Sequence, residues 1–262
     1  MTTLLPSLFI SHGSPMLALS DSPARRFLLA LGGQLPRPTA IVVFSAHWET
    51  IGTPAVSFAE QPETIHDFGG FPDALFAIQY PAPGAPDIAA RAVNLLEQAG
   101  FSVKRSALRG LDHGAWVPLS LMYPNADIPT VQISILRGAS PAEHLKLGQA
   151  VSKLREEGVL IIGSGSLTHN LYELRREGID AEVPGWVSEF DQWIKARIDH
   201  NQLDMLLDYR AQAPSAERNH PTDEHLLPLF VAMGAAGGLV RSERLHASHE
   251  YGVLAMDAYA FS

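Results

Sequence analysis

Four short apolar runs, each breaking off into small or polar residues, constrain this chain more than any other feature of its sequence. Leu8–Ile10 leads into Ser11-His12-Gly13, and Ala40–Phe44 (AIVVF) into Ser45-Ala46-His47. Thr130–Ile135 (TVQISI) is followed by Leu136-Arg137-Gly138, and Val159–Ile162 (VLII) by Gly163-Ser164-Gly165. Short β-branched runs without polar alternation are the pattern of strands buried on both faces of a largely parallel or mixed sheet. Helical patterns lie between them. Pro23–Leu31 follows Ser22, an N-cap with proline at the first helical position. Asp87–Ala99 stops at Gly100, and Pro141–Glu156 starts after Ser140 and ends at Gly158. Trp186–Asn201 and Glu224–Ala236 complete the set. The alternation predicts an α/β fold, a single domain over residues 1–262 with helices on both faces of a central sheet. No linker divides the chain. The Pro/Gly-rich stretch Gln61–Pro86 is too aromatic for a tether and reads as a long loop packed over one end of the sheet.

Composition narrows the function classes. With 46% hydrophobic residues, 262 residues suffice for a core that needs neither disulfide nor structural metal. Cysteine is absent, so a transition-metal site has only His, Asp and Glu to draw on, and thiol nucleophiles are excluded. A net charge of −9 without a Lys/Arg cluster argues against nucleic acid as a partner. No apolar run approaches the roughly 18 residues needed to cross a bilayer, so no membrane partner is expected. The start, MTTLLPSLFISHGSP, lacks a basic region and is interrupted by Pro6, so it reads as a strand rather than a signal peptide. A soluble, cytoplasmic protein is the expectation.

Eleven histidines in a chain without cysteine raise the question of a metal. Parallel-sheet enzymes bind ligands beyond the carboxyl ends of their strands. His12 and His47 each fall just after a predicted strand, either as two imidazoles sharing one ion or as unrelated loop residues. His169 follows VLIIGSGSLT, where a strand gives way to a Gly/Ser loop and then to a segment resembling a helix start. There it suits acid–base work, or merely accompanies a capped helix. His113, in GLDHGAWVPL between Gly110 and Gly114, reads as a pocket wall or as the polar tip of a tight turn. His225 enters from the first turn of an almost wholly apolar helix capped by Thr222 or Asp223, which makes it the better third ligand, with His220 a neighbour or an alternative. His66, in HDFGGFP, reaches substrate or holds its loop. His246 and His249 read as a solvated loop, and His144 and His200 as surface residues on polar helix faces.

The segments SHGSP (Ser11–Pro15), SAHWE (Ser45–Glu49), HDFGGFP (His66–Pro72), LDHGAWVPL (Leu111–Leu119), GSGSLTHNL (Gly163–Leu171) and NHPTDEHLLPL (Asn219–Leu229) lie in the order seen in class III extradiol ring-cleavage dioxygenases. Across nearly the whole chain the sequence resembles that family, most closely its DOPA 4,5-dioxygenase-like branch. The resemblance implies cleavage of a small aromatic diol by O2, beside the diol, at a non-haem Fe(II). An all-histidine site of this kind also binds Zn(II) well. By the same resemblance His12, His47 and His225 match the metal ligands. Protocatechuate-cleaving relatives carry a glutamate at the third position, and here Glu224 is adjacent. His169 matches the acid–base histidine, and His113 a pocket histidine that positions substrate and oxygen. His66, Phe68, Phe71 and Tyr80 are then expected around the substrate ring. Two other classes fit the histidines: a zinc hydrolase with His169 as base, and a non-catalytic metal-binding scaffold. A purely structural site has no use for unligated pocket histidines such as His169 and His113.

Overall fold

The computed structural model describes residues 4–175, 177–237 and 241–262. Ten strands form: β1 (Ser7–Ser11), β2 (Ala40–Thr50), β3 (Ala55–Ser57), β4 (Lys104–Ser106), β5 (Thr130–Leu136), β6 (Val159–Gly165), β7 (Ser242–His246), β8 (His249–Glu250), β9 (Leu254–Ala255) and β10 (Ala258–Phe261). Eight of them make one sheet in the order β4-β3-β5-β2-β6-β1-β10-β7, while β8 and β9 form a separate hairpin. The four strands at the centre, β5-β2-β6-β1, run parallel. β3 is antiparallel to β5, and β10 is antiparallel to both neighbours, β1 and β7. The sheet is therefore mixed, as expected, with the four sequence-predicted runs at its centre. The added strands β3, β4 and β7 are short or polar, and none carries a buried apolar run for a sequence pattern to report.

Alternate side chains of the central strands enter two cores. Val42 and Phe44 of β2 and Ile161 of β6 pack on one face, under α2 (Pro86–Gln98), α4 (Pro141–Val151), α5 (Gly185–Asp199) and α6 (Leu227–Ala235). Ile41 and Val43, with Leu160 and Ile162, pack on the other face against α1 (Pro23–Gln34) and α3 (His113–Met122). This period of two in strands covered on both sides places helices on both faces.

Local chemistry accounts for the helix ends. Ser22 caps α1 by accepting from the Arg25 amide, and Ser140 with Glu143 forms a capping box at α4. The expected helix Pro141–Glu156 is α only to Val151 and tightens to a 3-10 turn over Ser152–Glu157, ended by Gly158 at φ +78°. Three expectations are corrected. The segment after Asp112 is not a loop but α3, capped by the Asp112 side chain and buried along nearly its whole length. A helix buried all round shows no amphipathic period, and its internal Pro118 hides it further. His144 is not a surface residue: it is fully buried, with Nδ1 bonded to the Ser140 carbonyl and Nε2 accepting from the Leu136 amide. It closes the β5–α4 corner. The hairpin β8–β9 replaces the solvated loop expected around His249, and His246 belongs to β7, where its ring stacks on Phe27.

Candidate active site

The carboxyl ends of β1, β2 and β6 lie side by side, and the site is built beyond them. His12 directly follows β1, its amide bonded to the Gly165 carbonyl at the end of β6. His47 lies inside β2 rather than after it, in an irregular stretch. The β2–β5 register runs Ser45↔Ser134 and then Glu49↔Ile135, so Ala46-His47-Trp48 are extra residues. A bulge re-aims side chains at a strand end, and here it swings His47 over His12. Gly114, the second residue of α3, lets this happen, because a Cβ there would lie 2.4 Å from Ser45 Oγ and 3.2 Å from His12 Cε1. The Gly163-Ser164-Gly165 run has a similar use. A Cβ on Gly163 would lie 2.0 Å from the Pro228 carbonyl, and one on Gly165 would lie 2.0 Å from that of His225. The glycines let the His225 segment close onto β6, where the Ser166 amide donates to the His225 carbonyl.

His12 and His225 each have one ring nitrogen hydrogen-bonded to oxygen. Ser164 Oγ donates its only proton to the Gly114 carbonyl, so at 3.0 Å it accepts from His12 Nδ1–H. His12 Nε2 is thereby left as a bare lone pair, and it faces His47 Nε2 at 3.0 Å. His225, 5% exposed, donates from Nδ1 to Glu224 at 2.8 Å, while its Nε2 is buried without a partner. The His225 ring centroid lies 5.4 Å from that of His12 and 5.0 Å from that of His47. A buried, unpaired nitrogen costs free energy unless something occupies it. Clustered neutral imidazoles, two of them held by an oxygen on the other ring nitrogen, are the donor set a divalent transition metal takes.

Two further histidines complete the cluster. His113 begins α3, with ring nitrogens of His12, His47 and His113 within 4.8 Å of one another. Its backbone N–H and its Nδ1 both donate to Asp67 Oδ1, at 3.0 and 2.9 Å. His169 stacks on His225, centroids 3.5 Å apart and planes 10° from parallel. It sits in a loop and not at a helix start: only a three-residue 3-10 turn, Leu171–Glu173, follows it. Packing cations together in a dry site is unfavourable, and the titrations follow. Burial, then the neighbouring imidazoles, hold His12 and His225 well below the ordinary histidine value. Burial, with His113 beside it, brings His47 to about 4, and burial likewise brings His169 to about 4. Burial would raise Asp67, but its bonds from His113 win and hold it at about 2.

A cavity of about 500 Å³ opens from these rings. His47, His113, His169, His225 and Asp67 form its base, and Phe68 and Phe71 part of its wall. The opposite wall is Met16, Leu171, Leu174, Tyr251 and Leu254, which the sequence patterns did not single out. Leu171 and Leu174 trail His169 in the chain, and Tyr251 and Leu254 come from the β8–β9 hairpin. Three expected site residues lie elsewhere. Tyr80 is 2% exposed and turned inward, its hydroxyl donating to the Tyr123 carbonyl. His66 stands behind the wall, beside Phe68 and Trp116, with Nε2 bonded to the Ile78 carbonyl. His220 is buried against Phe190, with Nε2 donating to the Leu167 carbonyl, and joins neither group of three close ligand atoms, His12–His47–His113 or His169–Glu224–His225.

Known proteins share this sequence and fold. Residues 6–261 match the family described as the catalytic LigB subunit of aromatic ring-opening dioxygenase. The chain belongs to the LigB family. Among its relatives, the 4,5-DOPA dioxygenase extradiol of Beta vulgaris is 44% identical, covering 97% of this chain and 95% of its own. The protein of the same name from Escherichia coli K12 is 43% identical, covering 90% of this chain and 87% of its own. The crystal structure of an uncharacterized Escherichia coli K12 protein superposes with a TM-score of 0.82 at 35% identity, over 98% of this chain and 100% of that one. The enzyme is thus an extradiol dioxygenase, acting on an aromatic ring with O2, and its family is metal-dependent. No described helix is long and apolar enough to cross a membrane.

Proposed function

We propose that the chain, as one cytoplasmic catalytic domain over residues 1–262, opens the ring of a small, DOPA-like catechol beside its diol, with Fe(II) held by His12, His47 and His225. The observation that carries this reading is the lone, buried Nε2 of His225, on a ring whose centroid lies 5.4 and 5.0 Å from those of two imidazoles whose own Nε2 atoms already face each other. The residues fit the metal. Three neutral nitrogens leave positions open for other ligands. When bound, Fe(II) supplies a site at which a catechol and O2 bind together and exchange electron density.

The protein's own groups supply the rest. His169 is kept neutral by burial and so is able to take a proton from the diol. Its stacking on His225 fixes the ring plane beside the metal ligand. The His113 Nδ1–H is held by Asp67, which leaves Nε2 as its contact with substrate or oxygen. Phe68 and Phe71 flank the ring, and the apolar far wall excludes water from the opened intermediate. His113 is also near enough to His12 and His47 to compete with His225 as the third ligand. His225 is preferred because its nitrogen is the one buried with no partner.

Zn(II) binds such a site as well, and by raw affinity displaces Fe(II). The test therefore uses protein reconstituted anaerobically with Fe(II), followed by oxygen uptake on a catechol panel that includes DOPA. Stoichiometric O2 consumption with a yellow ring-opened product is expected. Ester or amide cleavage without O2 uptake by the iron-loaded protein would sink the reading.

A further inference from the structure

Asp67 lies in the aromatic loop over the site, and none of the ligand or acid–base roles accounts for it. Its two carboxylate oxygens face different histidines. Oδ1 accepts both the backbone N–H and the Nδ1–H of His113, at 3.0 and 2.9 Å, while Oδ2 stands 3.7 Å from His47 Nδ1. The latter is longer than a hydrogen bond, and with His47 neutral it is a carboxylate facing the ring's polar edge. The residue lines the cavity between Phe68 and these two rings and is half-buried, so the carboxylate meets both imidazoles where water screens it only in part.

We infer that Asp67 is a shared positioning residue, orienting the ligand histidine His47 through one oxygen and the substrate-side histidine His113 through the other. This rests on the metal-site reading of His47. The first half follows from how metal-bound imidazoles behave: a carboxylate on the distal N–H fixes the tautomer and raises the ring's donor strength. The second half follows from the inventory of His113. Its Nδ1 is committed to Asp67, so only Nε2 is left to meet a ligand. Asp67 also ties the loop carrying Phe68 and Phe71 to the first residue of α3. The wall that meets the ring and the histidine that meets the oxygens are therefore set by one side chain.

The two oxygens make the claim divisible. Asparagine has one acceptor end. In Asp67→Asn the amide oxygen retains both bonds to His113, and the NH2 end then turns a donor toward His47 Nδ1–H. Asp67→Ala loses both contacts. Three readouts follow: divalent-metal affinity by chelator competition, kcat and KM on a catechol per bound iron, and the His113 tautomer from ring 15N shifts of metal-free protein. Asp67→Asn should bind metal about 10-fold more weakly, with a smaller fall in kcat per bound iron than Asp67→Ala and His113 still protonated on Nδ1. Asp67→Ala should lose the affinity too, drop kcat per bound iron by about 100-fold, and release His113 to the Nε2–H tautomer.

Equal falls in kcat for both variants would overturn the division of labour, as would parental metal affinity in both. Should Asp67→Ala fail to fold, the parent and Asp67→Asn still decide: a His113 proton on Nε2 in the parent refutes the inference. A parent that binds metal yet turns over no catechol refutes the proposed function instead, leaving the affinity and tautomer tests standing.

Discussion

His144, in the first turn of α4, and His225, two residues before α6, are both buried imidazoles, and they differ in one atom. His144 has a backbone partner on each ring nitrogen, at 2.9 and 3.1 Å. His225 has Glu224 on one nitrogen and nothing on the other. Burial alone does not distinguish structural from functional histidines, since it lowers the pKa of both. The accounting of hydrogen bonds does so only together with convergence on other imidazoles, since His220 Nδ1 and His249 Nε2 are also buried without a partner. A ring satisfied at both ends belongs to the fold, and a ring with a buried lone pair aimed at other lone pairs is built for a ligand.

Replacing both residues with leucine puts the contrast to its severest test. His225→Leu should cut iron-dependent oxygen uptake by at least about 10³-fold, an effect of about 4 kcal/mol or more. Its metal-free stability should hold or rise, since an unsatisfied nitrogen is removed. His144→Leu should do the reverse. It strands the Leu136 amide, while the Ser140 carbonyl keeps its bonds from the Glu143 and His144 amides, at a cost of about 1–3 kcal/mol in denaturant unfolding, and folded molecules keep parental turnover. Swapped outcomes would break the comparison.

Acid should act on both classes of histidine together. His47 and His169 titrate at about 4 and His220 at about 3, below the value near 6.5 they regain on unfolding. Depressed folded values mean the neutral form is native. The stabilisation is complete above about pH 6.5 and drains away as pH falls toward 4 and then 3. Each histidine that must take up a proton contributes a slope of about 1.4 kcal/mol per pH unit. Metal-free unfolding measured from pH 7.5 to 4 should show this loss, and a flat profile would contradict the buried neutral assignments.

The smaller effects sharpen the contrast atom by atom. Ser164→Ala removes the acceptor of His12 Nδ1–H and should weaken metal binding about 10-fold, measured by chelator competition, without changing the fold. Tyr80→Phe should cost only about 1 kcal/mol, for the lost bond to the Tyr123 carbonyl, and leave KM for the catechol unchanged. A raised KM would return Tyr80 to the substrate wall.

What the sequence made legible follows the same division. The four central strands were readable because burial on both faces leaves unbroken β-branched runs. His12 and His47 were readable because strand ends are where such sheets bind ligands. Gly163 and Gly165, on either side of Ser164, were visible as a Gly/Ser run, but their use as seats for the Pro228 and His225 carbonyls was not. α3 was missed because a helix buried all round has no polar face to set its period. Asp67 carries no signal of its own beside His66, whose ring points behind the wall. Tyr80 was misplaced for the related reason that composition marks a loop as aromatic without saying which rings turn inward. Partners far apart in the chain, such as Ser164 with His12 and Asp67 with His113, exist only once the sheet has assembled.

Which nitrogens hold the metal decides most of what the site can do. Anomalous diffraction at the iron edge, from crystals loaded anaerobically with Fe(II), reads that directly. A single peak within bonding distance of Nε2 of His12, His47 and His225, with His113 and His169 clear of it, is the predicted result. A peak bonded to His113 in place of His225, or no peak among these rings, would contradict it.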